Sequence, residues 1–226
     1  MAIQAVVASD HRLFRQAVKA ILEREGISVI AEGCDGRETV KLATQLQPEI
    51  VLLDVHIALL NGIDASRKIL RTSPVTKIIL LVDEFAAGNV REALHAGVVG
   101  FVLKTAPACE LTKAIQIVCR GIVYLDSGTN RSLSEAVAED VPCGGNLLTL
   151  REREVLQLIC EGKAVKEMAA ILGISQKTVE SHRQRITAKL KMTQTAELVR
   201  YAVRCGMITA CASLTLNGPL LLRDLL

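Results

Sequence analysis

The chain has 226 residues, of which half are hydrophobic and 23% are charged, and its net charge is +3. This balance is typical of folded globular proteins and excludes a wholly disordered chain, and the length suits two domains of ordinary size. No apolar run reaches the roughly 18 residues that a membrane helix needs, and the N-terminus lacks the basic segment of a signal peptide. We therefore expect a cytoplasmic protein that does not enter a membrane.

The seven cysteines, at positions 34, 109, 119, 143, 160, 205 and 211, are odd in number and never spaced as CxxC. This pattern favours free thiols in a reducing compartment over a disulfide framework or a zinc site.

The charge is unevenly distributed along the chain. Residues 147–209 carry a net charge of +5, whereas residues 123–146 carry −3. A basic segment of this kind is typical of contacts with nucleic-acid phosphates, although a solvated basic helical surface has the same composition.

The first 122 residues alternate short apolar runs with amphipathic stretches. The apolar runs cover residues 3–8, 27–32, 50–54, 77–82 and 99–103. The stretches between them have helical periodicity, as in residues 12–25, and the last one spans residues 107–121. Strand–helix units of this length predict a doubly wound α/β domain over residues 1–122, in which a five-stranded parallel sheet is covered by helices on both faces.

The remainder of the chain predicts a linker, a second domain and a tail. Residues 123–146 are acidic and contain several glycines, which is typical of a linker. Residues 147–209 predict an all-α domain of four helices, and the tail, residues 210–226, is apolar without an assigned role. The helix ends are marked by a capping box at Thr149 and Glu152, by Ser175 at a helix start, and by Gly162, Gly173 and Gly206.

Two of the predicted helices are joined by the turn at residues 173–175, which makes a helix-turn-helix whose second helix enters the major groove of DNA. Its inward face is Val179, His182, Ile186 and Leu190, and its opposite face presents Lys177, Glu180, Ser181, Gln184 and Ala188. Glutamate accepts from cytosine N4 and glutamine bonds adenine, so Glu180 and Gln184 are candidates for base contacts. The candidates for phosphate contacts are Lys166, Lys177, Thr178, Arg183, Arg185 and Lys189.

The segment LTLREREVL…KEMA…SQKTVESH…KL within residues 148–208 resembles the DNA-binding domain of the NarL/FixJ (LuxR-type) regulators. The resemblance implies a transcription regulator that binds double-stranded promoter DNA. It also implies that Glu180, Ser181 and Gln184 face the bases. The helix beginning at Thr195 would join two copies into a homodimer.

Three charged residues of the first domain follow predicted strands. Asp10 comes after the first strand, Asp54 ends the third and Lys104 follows the fifth. Functional sites of parallel sheets form at the carboxyl ends of the strands, where two carboxylates can bind Mg²⁺ and a lysine can neutralise a phosphoryl group. Asp54 is a candidate nucleophile for an acyl phosphate, and Asp10 could alternatively cap the following helix.

Residues 1–122 resemble the flavodoxin-like receiver domain of two-component response regulators, through ASDHRLFRQAV, VLLDVHIALLNGIDA and AGVVGFVLK. The resemblance implies that a sensor histidine kinase phosphorylates Asp54. It also implies that Asp10, Asp54 and the backbone carbonyl of His56 bind Mg²⁺, that Lys104 contacts the phosphoryl group, and that Phe101 is the switch aromatic.

The chain departs from the receiver pattern at three positions. Ser9 stands where the acidic pair of the family has a carboxylate, Ala58 replaces a proline, and Val82 takes the place of the switch threonine or serine. A valine has no hydroxyl to bond a phosphoryl oxygen, which weakens the coupling between phosphorylation and the active state.

These departures leave an atypical receiver, controlled independently of Asp54, as an alternative. An aspartyl phosphatase would want a second carboxylate two residues after the nucleophile, where this chain has His56, so we expect no enzyme. A quorum-sensing regulator would want a pocket rich in tryptophan and tyrosine, and the chain has no tryptophan.

Overall fold

The computed structural model describes residues 2–83, 87–125 and 147–209, which form an α/β domain and a helical domain. The strands are β1 (Gln4–Ala8), β2 (Ser28–Gly33), β3 (Ile50–Asp54), β4 (Lys77–Val82), β5 (Gly100–Leu103) and β6 (Tyr124–Leu125). The helices are α1 (Arg12–Arg24), α2 (Gly36–Leu46), α3 (Gly62–Thr72), α4 (Ala87–His95), α5 (Ala108–Cys119), α6 (Leu150–Cys160), α7 (Val165–Leu172), α8 (Gln176–Leu190) and α9 (Thr195–Arg204). The doubly wound sheet and the four-helix domain are therefore confirmed.

Within the described residues, the sheet has six parallel strands in the order β2-β1-β3-β4-β5-β6, rather than the five that the sequence predicts. After α5 the chain turns back along the edge of β5, where the Tyr124 N–H donates to the Val99 carbonyl at 2.9 Å. This pairing satisfies backbone groups that an open sheet edge leaves free. A strand of two residues is too short to show a periodicity in the sequence.

The order of the strands places a crevice between the carboxyl ends of β1 and β3. From β1 the chain moves outward to β2 and then returns to the other side of β1 at β3, which is a topological switch point. Residues 5–8 and 50–54 are buried throughout, because helices cover both faces of the sheet.

The predicted caps of the helical domain are confirmed. Thr149 and Glu152 form the capping box of α6, with the Thr149 N–H donating to Glu152 Oε2 at 2.7 Å. Ser175 Oγ accepts from the Thr178 N–H at 3.1 Å at the start of α8. Gly173, with φ of +64°, ends α7 in a left-handed conformation that favours glycine.

The predicted linker, residues 123–146, overlaps β6 at its start, and residues 126–146 lie outside the described residues. The predicted tail, residues 210–226, also lies outside them.

The two domains are in contact through the loop at residues 55–61, which connects β3 with α3. Leu59 of this loop packs against the hydrophobic core of the helical domain. Its φ of +63° is uncommon for a residue other than glycine.

Candidate functional site

Four strand ends of the α/β domain form a pocket, here called the strand-end pocket. Asp10 follows β1, Asp54 ends β3, Asp83 follows β4 and Lys104 follows β5. The sheet order places β1 on one side of β3, and β4 and β5 on the other. The sequence predicts three of these residues; Asp83 is an addition that only the structure shows.

Asp54 is buried at the centre of the pocket, with 1% of its surface exposed. Its Oδ2 accepts a hydrogen bond from Ser9 Oγ at 2.9 Å and lies 2.9 Å from Lys104 Nζ. Its Oδ1 accepts from the backbone N–H of His56 at 3.2 Å. A buried carboxylate is costly unless it is paired and hydrogen-bonded, and both oxygens of Asp54 meet that condition. Ser9 therefore stabilises Asp54 where a second carboxylate would repel it.

Lys104 lies between two carboxylates. Its Nζ is 2.9 Å from Asp54 Oδ2 and 3.0 Å from Asp83 Oδ2. Burial by itself lowers the pKa of Lys104, but the charges and hydrogen bonds of Asp54 and Asp83 outweigh burial and raise the pKa above its ordinary value. Lys104 is therefore a permanent cation of the pocket at physiological pH.

His56 lies on the same side of the pocket as Lys104. Its Nδ1 is 3.6 Å from Asp83 Oδ2, which is beyond hydrogen-bond distance, and within the part of the chain that the structure describes this buried nitrogen has no hydrogen-bond partner. Burial lowers the pKa of His56 despite the attraction of the carboxylates of Asp54 and Asp83. The imidazole is therefore neutral at physiological pH.

Asp10, His11 and Asp54 bring one ligand atom each to within 4.8 Å of one another. The two carboxylates offer the oxygen ligands that Mg²⁺ prefers, and water can complete its octahedral shell, so these residues fit the ion. His11, which no sequence pattern indicates, lies with its Nδ1 2.9 Å from Asp10 Oδ1. The alternative role of Asp10 as a helix cap is wrong, because the N-cap of α1 is His11.

The two predicted switch residues are buried. Val82 is 5% exposed, and its carbonyl accepts from the Lys104 N–H at 2.7 Å, so it adjoins the pocket as its sequence position predicts. Its side chain carries methyl groups and no hydroxyl, and it belongs to the hydrophobic cluster of the α/β domain. Phe101 is 1% exposed and belongs to the same hydrophobic cluster as Val82.

Helix α8 has the two faces that the sequence predicts. Val179 and Ile186 of the predicted inward face are fully buried in the helical domain, whereas Glu180 and Gln184 of the opposite face are exposed. His182 and Leu190, the other two residues of the predicted inward face, are partly buried. Ser181, the third predicted base contact, is partly exposed. A shallow depression on the outer face is lined by Glu180, Arg183, Gln184, Thr187 and Ala188. Contact with the α/β domain through α6 thus leaves the outer face of α8 open.

The predicted phosphate contacts surround this face. Lys166, Lys177, Thr178 and Arg185 are exposed, and Arg183 is partly exposed. Arg183 Nη1 lies 3.7 Å from Glu180 Oε1 on the same face. Lys189 Nζ lies 2.7 Å from the buried Glu152 Oε2, so part of its charge is already neutralised within the helical domain.

Side chains at α6 form hydrogen bonds with the backbone of the loop that follows Asp54. Gln157 Oε1 accepts from the Asn61 N–H at 2.7 Å, and Gln157 Nε2 donates to the Ile57 carbonyl at 3.2 Å. Glu161 Oε1 accepts from the Leu59 N–H at 2.9 Å. The helical domain therefore contacts the α/β domain within a few residues of the strand-end pocket.

Ion pairs surround this loop contact. Arg153 Nε lies 2.9 Å from Asp64 Oδ2, and Arg153 Nη1 lies 2.9 Å from Glu92 Oε1. The carboxylate of Glu154 lies 2.6 Å from Arg37 Nη2. The sequence places Arg153 and Gln157 one turn apart on one helix, with Glu154 next to Arg153, but it does not show what they contact.

Comparisons with known proteins assign both domains. Residues 5–116 match the response regulator receiver domain, and residues 146–202 match the bacterial regulatory proteins of the luxR family. The chain is 34% identical over 212 residues to the transcriptional regulatory protein LiaR of Bacillus subtilis (strain 168), covering 91% of this chain and 99% of that protein. The chain belongs to the NarL/FixJ (LuxR-type) response regulators. It is thus a DNA-binding transcription regulator with a receiver domain.

Further relatives support this membership. The response regulator is 31% identical over 211 residues to UvrY of Escherichia coli (strain K12), covering 92% of this chain and 97% of that one. Its fold is similar to the crystal structure of the response regulator ChrA, with 26% identity, a TM-score of 0.51, and coverage of 92% and 99%. It is also similar to RcsB of Salmonella typhimurium, with 25% identity, a TM-score of 0.56, and coverage of 90% and 99%. These relatives are regulators rather than enzymes, and none favours an atypical receiver.

Among the described residues, no helix has both the length and the apolar character that crossing a membrane requires.

Proposed function

We propose that this response regulator binds specific promoter sequences as a homodimer through α8, and that phosphorylation of Asp54 by a sensor histidine kinase controls the binding. The observation that carries the proposal is the outer face of α8, which stays exposed while α6 is docked on the receiver domain. A regulator acting on promoters belongs in the cytoplasm, and no enzymatic activity beyond transfer of the phosphoryl group is part of the proposal.

The residues of α8 divide into two groups by what they would contact. Glu180, Ser181 and Gln184 would read base edges, because they lie on the exposed face opposite the buried Val179 and Ile186. The phosphate contacts would be made by Lys166, Lys177, Thr178, Arg183, Arg185 and Lys189, which would fix the orientation of the helix on the duplex.

The strand-end pocket would carry out the phosphorylation. An Asp54 carboxylate oxygen would form a bond to the phosphorus of the phosphohistidine as the bond from phosphorus to the histidine nitrogen breaks. Asp10, Asp54 and the His56 carbonyl would hold Mg²⁺, which when bound neutralises charge on the phosphoryl oxygens. Lys104 lies 2.9 Å from the Asp54 carboxylate and would pair with a phosphoryl oxygen.

The dimer would form through α9. Leu198 and Tyr201 of this helix are buried in the helical domain, whereas Val199 and Val203, one turn apart, are partly exposed. Partly exposed valines at this spacing offer an apolar stripe to the same helix of a second copy. A symmetric dimer would read two half-sites about one turn of DNA apart.

Selection of duplexes from a random DNA pool by the full chain tests the DNA proposal and requires no known operator sequence. Gln184→Ala is expected to relax preference at one base pair, at a cost of about 1–3 kcal/mol there. The matched variant Lys177→Ala is expected to weaken binding to all duplexes alike and to reduce the salt dependence. Recovery of no preferred sequence by the unaltered chain would contradict the proposal.

Sedimentation velocity with Mg²⁺ and beryllofluoride, an aspartyl-phosphate mimic, tests the control by Asp54. We expect the mimic to increase the dimer fraction of the unaltered chain and to leave the Asp54→Asn variant unchanged. An equal dimer fraction with and without the mimic would instead support control independent of Asp54.

A further inference from the structure

The carboxylate of Asp83 lies among the cationic and hydrogen-bonding groups of the strand-end pocket. Asp83 follows Val82 at the end of β4. Its Oδ2 is 3.0 Å from Lys104 Nζ and 3.6 Å from His56 Nδ1. Lys104, the group that a phosphoryl on Asp54 would need, is therefore already shared by two carboxylates in this structure.

Asp83 is on the phosphoryl side of the pocket rather than on its metal side. The candidate metal carboxylate Asp10 follows β1, on one side of β3. Asp83 and Lys104 follow β4 and β5, on the other side of β3. Among the described residues, the cluster of potential metal ligands at Asp54 contains Asp10 and His11 but not Asp83. Asp83 therefore does not replace the carboxylate that Ser9 lacks.

We propose that the Asp83 carboxylate occupies the anion position beside Lys104 that a phosphoryl group on Asp54 requires, and thereby restrains phosphorylation. The inference rests on the proposed function of Asp54 and names a residue that sets how readily this pocket accepts a phosphoryl group. Asp83 acts through Lys104 and is a positioning residue.

Electrostatics gives the direction of the effect. A phosphoryl group adds about −1.5 to −2 charges, which Asp83 would repel at close range. Two anions would then compete for the ammonium of Lys104, because Val82 supplies no hydroxyl as a further donor on this side. The Asp83–Lys104 ion pair stabilises the unphosphorylated pocket, and this ion pair must break when Asp54 is phosphorylated.

The side chain of Asp83 is 50% exposed, in contrast to the nearly complete burial of Asp54. Rotation of Asp83 into solvent therefore requires no rearrangement of the core. Asp83 restrains phosphorylation without preventing it.

Three variants of the full chain separate charge from packing. Asp83→Asn removes the charge and keeps the shape, and Asp83→Glu keeps the charge. Glu23→Gln makes the same charge change on α1, where the Glu23 side chain is 52% exposed and lies 4.0 Å from Lys19 rather than from a pocket residue. Binding of beryllofluoride with Mg²⁺ is followed by fluorine NMR, and the phosphorylated fraction under acetyl phosphate by intact mass.

Asp83→Asn is expected to lower the half-saturating beryllofluoride concentration about tenfold and to raise the phosphorylated fraction, while the other two variants stay within about threefold of the unaltered chain. Equal binding by Asp83→Asn and the unaltered chain overturns the inference and leaves Asp54 as the phosphoacceptor. An equally large gain in beryllofluoride affinity in Asp83→Glu also overturns the inference, because the charge of Asp83 would then not be the cause. If neither the unaltered chain nor any Asp83 variant binds the mimic or gains mass, the proposed control through phosphorylation of Asp54 itself fails.

Discussion

Replacement of Arg153 by methionine tests whether the receiver and helical domains are docked in solution as the structure shows. The side chain of Arg153 is 5% exposed, and that of its partner Asp64 is fully buried. Methionine keeps much of the volume of the side chain and removes the charge and the hydrogen bonds. The variant should therefore weaken the docking of α6 without opening a large cavity.

The expected loss follows from what remains around Asp64. Breaking a buried ion pair by removing one partner costs about 3–5 kcal/mol. Asp64 keeps Arg67 Nη1 at 2.7 Å and Asn61 Nδ2 at 2.8 Å, so its carboxylate stays partly compensated. Glu92 likewise keeps Arg67. We therefore expect Arg153→Met to cost about 2 kcal/mol of docking free energy, or roughly a 30-fold change in equilibrium.

Hydrogen exchange at two backbone amides reports this docking directly. The N–H groups of Leu59 and Asn61 donate to Glu161 and Gln157 of the helical domain, so undocking exposes them. We expect their exchange to accelerate roughly 30-fold in Arg153→Met. The exposed Arg24→Met serves as the control. Unchanged exchange in Arg153→Met would refute the reasoning, and a double-mutant cycle with Asp64→Asn that gives a coupling below about 0.5 kcal/mol would do the same.

Three further predictions follow from single residues. Burial raises the pKa of the Cys160 thiol to about 12, so mass spectrometry after iodoacetamide treatment should find Cys160 unmodified while the exposed Cys109 is alkylated. Early modification of Cys160 would contradict its burial. The hydrogen bond from Lys19 lowers the pKa of Glu32, so the stabilisation by this pair is complete above the ordinary carboxyl pKa and is lost as the pH falls through the lowered pKa of Glu32. Glu32→Gln should therefore make the free energy of unfolding less sensitive to acid, and an unaltered pH profile would argue against the pair. Val82→Thr restores a hydroxyl beside the pocket, so the effect of beryllofluoride on the dimerisation equilibrium, measured by sedimentation velocity, should increase about tenfold. An effect equal to that in the unaltered chain would show that the missing hydroxyl does not limit the switch.

Much of the fold could be predicted because its signals are local. The apolar runs of β3 and β4 and the capping box at Thr149 depend on residues a few positions apart, and the structure confirms them. The position of Asp54 near Lys104 could also be predicted, since the carboxyl ends of parallel strands meet at one edge of a sheet. The sixth strand could not, because β6 is defined by hydrogen bonds to β5 and not by its own pattern.

The contacts of Asp83 and of α6 needed the tertiary structure. Asp83 follows a buried strand, but only the folded chain shows that its carboxylate shares Lys104 with Asp54. Likewise, a helix with Arg153 and Gln157 on one face predicts a surface and not the loop that this surface contacts. Both depend on pairs of residues separated by many positions along the chain.

By itself, the sequence determined the two domains, the family, the carboxylate at the end of β3 and the two faces of α8, since each depends on short-range periodicity or on a motif of fixed spacing. The tertiary structure alone decided which charges pair across the pocket and between the domains. The physical reason is that the strength of an ion pair depends on distance and burial, and both are set only when distant segments of the chain pack together.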